Sequence, residues 1–332
     1  MSSLPLFDTP SDADAWHNVQ APGGYERWYF DAEDSLANTQ VVAVFGQGCL
    51  SDTNYRRAFD RFLKNPTRTT PPLPADYPSV SFSVYQAGRL AHQFVKQYRP
   101  ADFSASRDKV DLRIGTSRLY SDAGAYRLTL SGTPQEPTWL GPKLLTDRTL
   151  SADFTFVPTF SHAPIERALS SREHDATHQW VLANAHCRVE GTIRIGNESI
   201  VFNGRGYRDH QYGTAPIAHG LSRIVRGRVM GDDELMTFHC HVPQDPAQPA
   251  QVHLLRINAS GGEVLEGIVT ETDWSKRSAT GLEYPSHIAF GERLVLNNPQ
   301  VLGATTSEVR LTYDARGLAA ETRAICTVEH RR

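Results

Sequence analysis

The sequence predicts an all-β protein built as two antiparallel β-barrel or sandwich domains with one short inserted helix. Three observations carry this. From residue 40 to the end, Val, Ile, Thr, Phe and Tyr alternate with polar residues at period two. Gly, Pro and Asn punctuate the alternating stretches at turn-like spacing. The stretches number roughly fifteen over a chain of 332 residues, more than one small barrel holds.

In chain order, alternation marks strands at Val41–Phe45, Ser79–Tyr85, Leu90–Lys96, Val110–Ile114, Tyr126–Leu130 and Leu150–Val157. After midpoint come Gln179–Leu182, Cys187–Ile195, Ser199–Asn203, Ser222–Met230, Glu234–His241, Val252–Ile257, Val264–Val269, Glu308–Tyr313 and Ala319–Val328. The helix is predicted over Tyr55–Leu63, because Tyr55, Phe59, Phe62 and Leu63 recur at helical spacing behind the caps Asp52, Thr53 and Asn54. With the Pro-rich stretch that follows, it could cover a barrel mouth or pack on the outside. The least strand-like interval, Ser161–Asp175, is the expected linker. It divides the chain into an N-terminal β domain, 1–170, and a C-terminal one, 171–332.

Charge excludes several functions. The 34 Lys and Arg nearly cancel the 37 Asp and Glu, so no global field draws nucleic acid. No apolar run approaches the roughly 20 residues of a membrane span. The N-terminus lacks the basic and apolar regions of a secretory signal, so a cytoplasmic location is expected. Cys49, Cys187, Cys240 and Cys326 form no CxxC pair and are expected to be buried thiols. Nucleotide and hydrolase signatures (GxGxxG, P-loop, GxSxG, HExxH) are missing, and no cofactor is expected.

Three strings could carry chemistry. Gly204-Arg205-Gly206-Tyr207-Arg208-Asp209-His210-Gln211-Tyr212-Gly213 packs polar and aromatic groups between glycines, as in a tight turn that presents side chains to a ligand. If extended, it puts Arg205, Tyr207 and Asp209 on one face and Arg208 and His210 on the other. An ordinary polar turn, with Asp209 bonded to nearby amides, is the competing reading. In His178-Gln179-Trp180, His178 and Trp180 share a face, as a core Trp beside a hydrogen-bonded His also would. In Phe238-His239-Cys240-His241, His239 and His241 share a face. They would bind zinc only with a third ligand such as His210 or His186; otherwise they line a cavity or the surface, and no metal is expected.

Together with Gly23-Gly24-Tyr25-Glu26-Arg27-Trp28-Tyr29-Phe30-Asp31-Ala32, the strings His178-Gln179-Trp180 and Gly206-Tyr207-Arg208-Asp209 occur in the order found in carotenoid 1,2-hydratases (hydroxyneurosporene synthases). The chain thus resembles the lipocalin-like superfamily of those hydratases, AttH-type proteins and fungal Diels-Alderases. The resemblance implies two lipocalin-like β domains with a large apolar pocket near their junction. It also implies catalytic roles for His178, Trp180, Tyr207 and Asp209, with Asp209 the proton donor. Where the hydratases continue Asp-Thr-Asn, this chain reads Asp209-His210-Gln211-Tyr212-Gly213, nearer to other branches.

The implied chemistry is consistent with the residue types. Protonating an unactivated alkene needs a carboxylic acid that keeps its proton near neutral pH, which desolvation of Asp209 favours. The π faces of Trp180 and Tyr207 suit a carbocation. A neutral His178 could hold water or return the proton. The expected enzyme is therefore cofactor-independent and acts on a large apolar isoprenoid or polyene by hydration of a C=C bond or acid-initiated cyclisation. Trp28, His210, Tyr212 and His239 are expected to bind substrate, and peripheral membrane contact could deliver it. The alternatives are a pericyclase, in which Tyr207, His210 and Tyr212 bind substrate while Asp209 anchors the loop, and a non-catalytic carrier of an apolar ligand.

Overall fold

In a computed structural model the described residues are 13–48, 53–138, 141–160, 165–168, 178–216, 221–265, 269–277, 281–304, 308–317 and 322–330. They form an all-β chain of curled antiparallel sheets with one α-helix and two short 3-10 turns, the predicted lipocalin-like class. The chain divides into two compact units between residues 217 and 218. This displaces the boundary expected at 170/171. His178–Leu182, His186–Ile195 and Glu198–Gly213 all pair into the first sheet, the last directly with Tyr25–Asp34, so the hydrogen-bond ladder keeps them in the first unit. Of the expected linker, only 165–168 is described; Ile165–Ala168 pairs with His178–Leu182.

Tyr25–Asp34 escapes the alternation argument for a physical reason. Eight of its ten residues are buried, so both faces are covered and polarity does not alternate. Its even positions, Trp28, Phe30 and Ala32, join the core of the first unit with Phe82, Phe94, Phe154, Phe156 and Val189. The second unit has its own core, including Phe238, Leu254, Phe290, Leu311 and Val328. Cys187, Cys240 and Cys326 are buried thiols as expected, whereas Cys49 lies outside the described residues. Burial pushes the Cys187 thiol up to about 12, against the pull of Arg208.

The helix runs Thr53–Lys64. Its fully buried Tyr55 packs on Tyr77 with ring centroids 4.8 Å apart and donates its hydroxyl to the Gly24 carbonyl. Burial pushes that hydroxyl above the usual phenol range. The helix thereby fixes the chain just before Tyr25–Asp34 begins; Asp52, one of the predicted caps, lies outside the described residues. Among the described residues no helix is long and apolar enough to cross a membrane.

The glycine-rich string is not a turn. It is the last ten residues of one 16-residue strand, Glu198–Gly213. Its glycines admit neighbouring chain: a Cβ on Gly204 would sit 2.0 Å from the Glu33 carbonyl oxygen, and one on Gly206 2.5 Å from Val189 Cγ2 and 2.6 Å from Phe156 Cε1. A backbone carbonyl in a sheet cannot yield as a side-chain tip can. Gly204→Ala is therefore expected to cost about 1–3 kcal/mol or more, read as a lower midpoint in urea unfolding. An unchanged midpoint would show that the two strands can part there.

Candidate active site

Strand pairing builds the site. Tyr25, Arg27, Tyr29 and Asp31 lie opposite Gly213, Gln211, Asp209 and Tyr207, so these odd-numbered residues share one face. On the other side of the long strand, His178 and Trp180 oppose Gly213 and Gln211. The chain can pair there because 178–195 is broken into two strands at residues 183–185, where Asn184 takes the left-handed conformation with φ 52°. Arg208 donates its backbone N–H to the Ala185 carbonyl in the break. With no side chain on Gly213, Tyr25 and His178 stack across it at 5.7 Å.

Asp209 is the hub of this face and is 2% exposed. Its Oδ2 accepts the Tyr207 hydroxyl at 2.9 Å and the Trp180 indole N–H at 3.2 Å. The Gln211 amide donates to both carboxyl oxygens at 3.2 Å. Gln211 is itself oriented: its Oε1 accepts from the Arg27 guanidinium at 2.7 Å, which turns its NH2 toward Asp209. Tyr29, directly across from Asp209, donates to Asp31 at 3.0 Å and packs 6.2 Å from the Tyr207 ring. Three of the four residues expected to be catalytic thus meet at one carboxyl group, and His178 lies on the same face.

Three of the residues expected to bind substrate belong to this sheet but not to this face. Alternation turns Trp28, His210 and Tyr212 to the opposite face of the sheet, where His210 stacks on Trp28 at 4.4 Å and Tyr212 on His17 at 3.8 Å. They do not line the Asp209 face. His239 belongs to the second unit, buried in Glu234–Pro243 with its ring 5.8 Å from His241. Sequence reasoning gave no role to Gln211, Arg27, Tyr29, Asp31 or Tyr25. The available signal was position alone: on an extended chain Tyr25, Arg27, Tyr29 and Asp31 share one face, as do Tyr207, Asp209 and Gln211.

The opposite face holds charge at depth. Arg208 is fully buried and grips Asp14 bidentately, with N···O distances of 2.6 and 2.5 Å, while also donating to the Ala183 carbonyl at 2.8 Å. Its guanidinium lies 4.0 Å from the Tyr126 ring centroid. Burial pulls its proton affinity down, but the Asp14 charge outweighs this and holds it above the usual range. Tyr126, which donates to Asp14 at 3.2 Å, is pushed up to about 12 mainly by burial. Glu26, also buried, meets both His17 and His210; burial works against its charge, yet hydrogen bonds from the two imidazoles hold its carboxyl below the usual carboxylate range.

No protein-family model matches the chain. It is similar to the hydroxyneurosporene dehydrogenase of Chlorobaculum tepidum, 29% identical over 298 residues that cover 84% of this chain and 72% of that protein. Among solved structures it is similar over its whole length to an AttH-type protein of Nitrosomonas europaea, with 14% identity and a TM-score of 0.66. It is similar over 97% of its length, and 95% of the other's, to kievitone hydratase from Nectria haematococca, with 11% identity and a TM-score of 0.54. CghA matches at 8% identity and a TM-score of 0.51, covering 99% of this chain and 93% of that one. These structural likenesses bear out the fold, and with the Chlorobaculum relative they match the superfamily resemblance carried by the motifs.

Proposed function

We propose that this protein is an enzyme that transfers a proton from Asp209 to an alkene carbon of a large apolar isoprenoid or polyene, giving the hydrated or the cyclised product. The observation that carries this reading is the convergence of Trp180, Tyr207 and Gln211 on the Asp209 carboxyl group. Burial strips that carboxyl group of water, and three donors await the carboxylate formed when the proton leaves. Of the three, only the Tyr207 hydroxyl can reverse to accept, so it is the partner able to serve both protonation states. Trp180 and Tyr207 turn polar edges toward the acid, and their π faces would lie alongside the cation.

In hydration, the Asp209 proton forms a new C–H bond at the expense of the π bond, leaving a carbocation and a carboxylate. Water then bonds to the cation and its surplus proton returns to Asp209, directly or by way of His178. In cyclisation an internal alkene attacks in place of water and the proton is lost from carbon. The name of the Chlorobaculum relative supports a carotenoid-like substrate, although it denotes a dehydrogenation of a compound that already bears the hydroxyl. The name of the hydratase neighbour supports water addition.

Incubation with acyclic carotenoids, squalene-like isoprenoids and linear polyenes in deuterated water tests the proposal by mass spectrometry. The expected product gains the mass of water with one deuterium fixed on carbon, or is an isomer carrying carbon-bound deuterium. An isomer with no deuterium would overturn acid chemistry in favour of a pericyclic reaction. Tight binding with the ligand recovered unchanged would make the protein a carrier.

A further inference from the structure

We propose that His17, Glu26 and His210 form a binding site for one divalent transition-metal ion of the zinc type, on the face of the sheet opposite Asp209. His17 Nδ1 and His210 Nε2 each lie 3.1 Å from the same oxygen, Glu26 Oε1, and the three atoms fall within 4.8 Å of one another. Two ligands about 2.0–2.1 Å from a tetrahedral zinc are roughly 3.3 Å apart, so a small local adjustment seats the ion. Two imidazoles and a carboxylate suit zinc or ferrous iron.

A second observation points to a ligand. The imidazoles and the His17 backbone N–H, 2.8 Å away, all engage Oε1. The other oxygen, Glu26 Oε2, is buried without a hydrogen-bond partner among the described residues, although its side chain is wholly inaccessible to solvent. A carboxylate oxygen left so is costly. Metal coordination through both oxygens would satisfy it.

The surroundings are those of a metal ligand set. A metal on His210 Nε2 fixes the proton on Nδ1, and Nδ1 lies 3.7 Å from Asp14 Oδ1, placing a carboxylate behind the imidazole. Trp28 holds the His210 ring from one side, and the His17–Tyr212 stack sets the other imidazole. The His17 side chain is 26% exposed while its two partners are buried, so the ion would enter from the His17 side. The three ligands come from the segment before the first strand, from Tyr25–Asp34 and from Glu198–Gly213. Bound metal would tie these together one residue away from Asp209. This site stands independently of the acid chemistry.

The test uses the full-length protein stripped with a chelator and titrated with Co2+, whose visible absorption reports coordination, and with Zn2+ by calorimetry. One equivalent is expected to bind, to produce a Co2+ spectrum and to raise the melting temperature. His17→Ala is the informative variant because His17 is partly exposed and its loss leaves the buried pair intact. It should weaken binding by about 100-fold or more and abolish the stabilisation while melting near the stripped wild type. No Co2+ spectrum and no shift in the wild type would overturn the proposal. So would undiminished affinity in His17→Ala, which would place the metal elsewhere.

Discussion

Asp209→Asn is expected to lower turnover by about two to four orders of magnitude while substrate binding changes little. The substitution keeps the size of the side chain and removes only its capacity to give up a proton and carry the charge left behind. Its oxygen can still accept from Tyr207 or Trp180. Its new NH2, however, must face donors. Gln211 cannot turn its own oxygen to meet that NH2 without aiming its NH2 at Arg27, whose guanidinium now donates to it at 2.7 Å. Some loss of stability therefore accompanies the loss of activity, and the two are separated by measuring turnover per folded molecule together with ligand affinity. Full turnover in the folded variant would remove Asp209 from the role of acid. Near-normal isomer formation without deuterium uptake would instead leave it as a structural hub in a pericyclic enzyme.

Much of this arrangement was legible in the sequence. Tyr207 and Asp209 share a face because they are two apart on an extended chain, and the 2.9 Å hydrogen bond between them is that spacing realised. His178 and Trp180 follow the same rule. What the sequence concealed was which strands are neighbours. Gln211 and Arg27 are 184 residues apart and meet only through the antiparallel register of Tyr25–Asp34 on Glu198–Gly213. That pairing also moved the domain boundary past the long strand. The glycines misled for a related reason. In isolation they read as a turn, whereas their neighbours in space make them points of close approach within a strand. His210 and Tyr212 adjoin Asp209 in the motif, yet alternation sends their side chains, like that of Trp28 on the paired strand, to the far face of the sheet.

The far face carries the second large expectation. Asp14→Ala is expected to destabilise the first unit by about 3–5 kcal/mol, because it strands a guanidinium with no solvent around it. Arg208 donates twice to Asp14 and is otherwise held by the Ala183 carbonyl and the Tyr126 ring, neither of which supplies a full negative charge. Arg208→Met should cost less, since a stranded carboxyl group can take up a proton whereas a guanidinium cannot shed one. The Asp14→Leu/Arg208→Met double variant should recover a large part of the loss, and a urea-unfolding cycle measures the coupling. Additive single costs would mean that the pair contributes only as two independent side chains. The pair also bears on the site. Asp14 lies in the segment before the first strand, and Arg208 immediately precedes Asp209. Its indirect tie runs through Trp28, whose indole N–H donates to the Asp14 carbonyl at 3.1 Å. Cutting the pair removes the side-chain anchor of Arg208, the residue next to Asp209, on the face away from the site. The loss of stability should therefore come with a fall in turnover at temperatures where the protein is still folded.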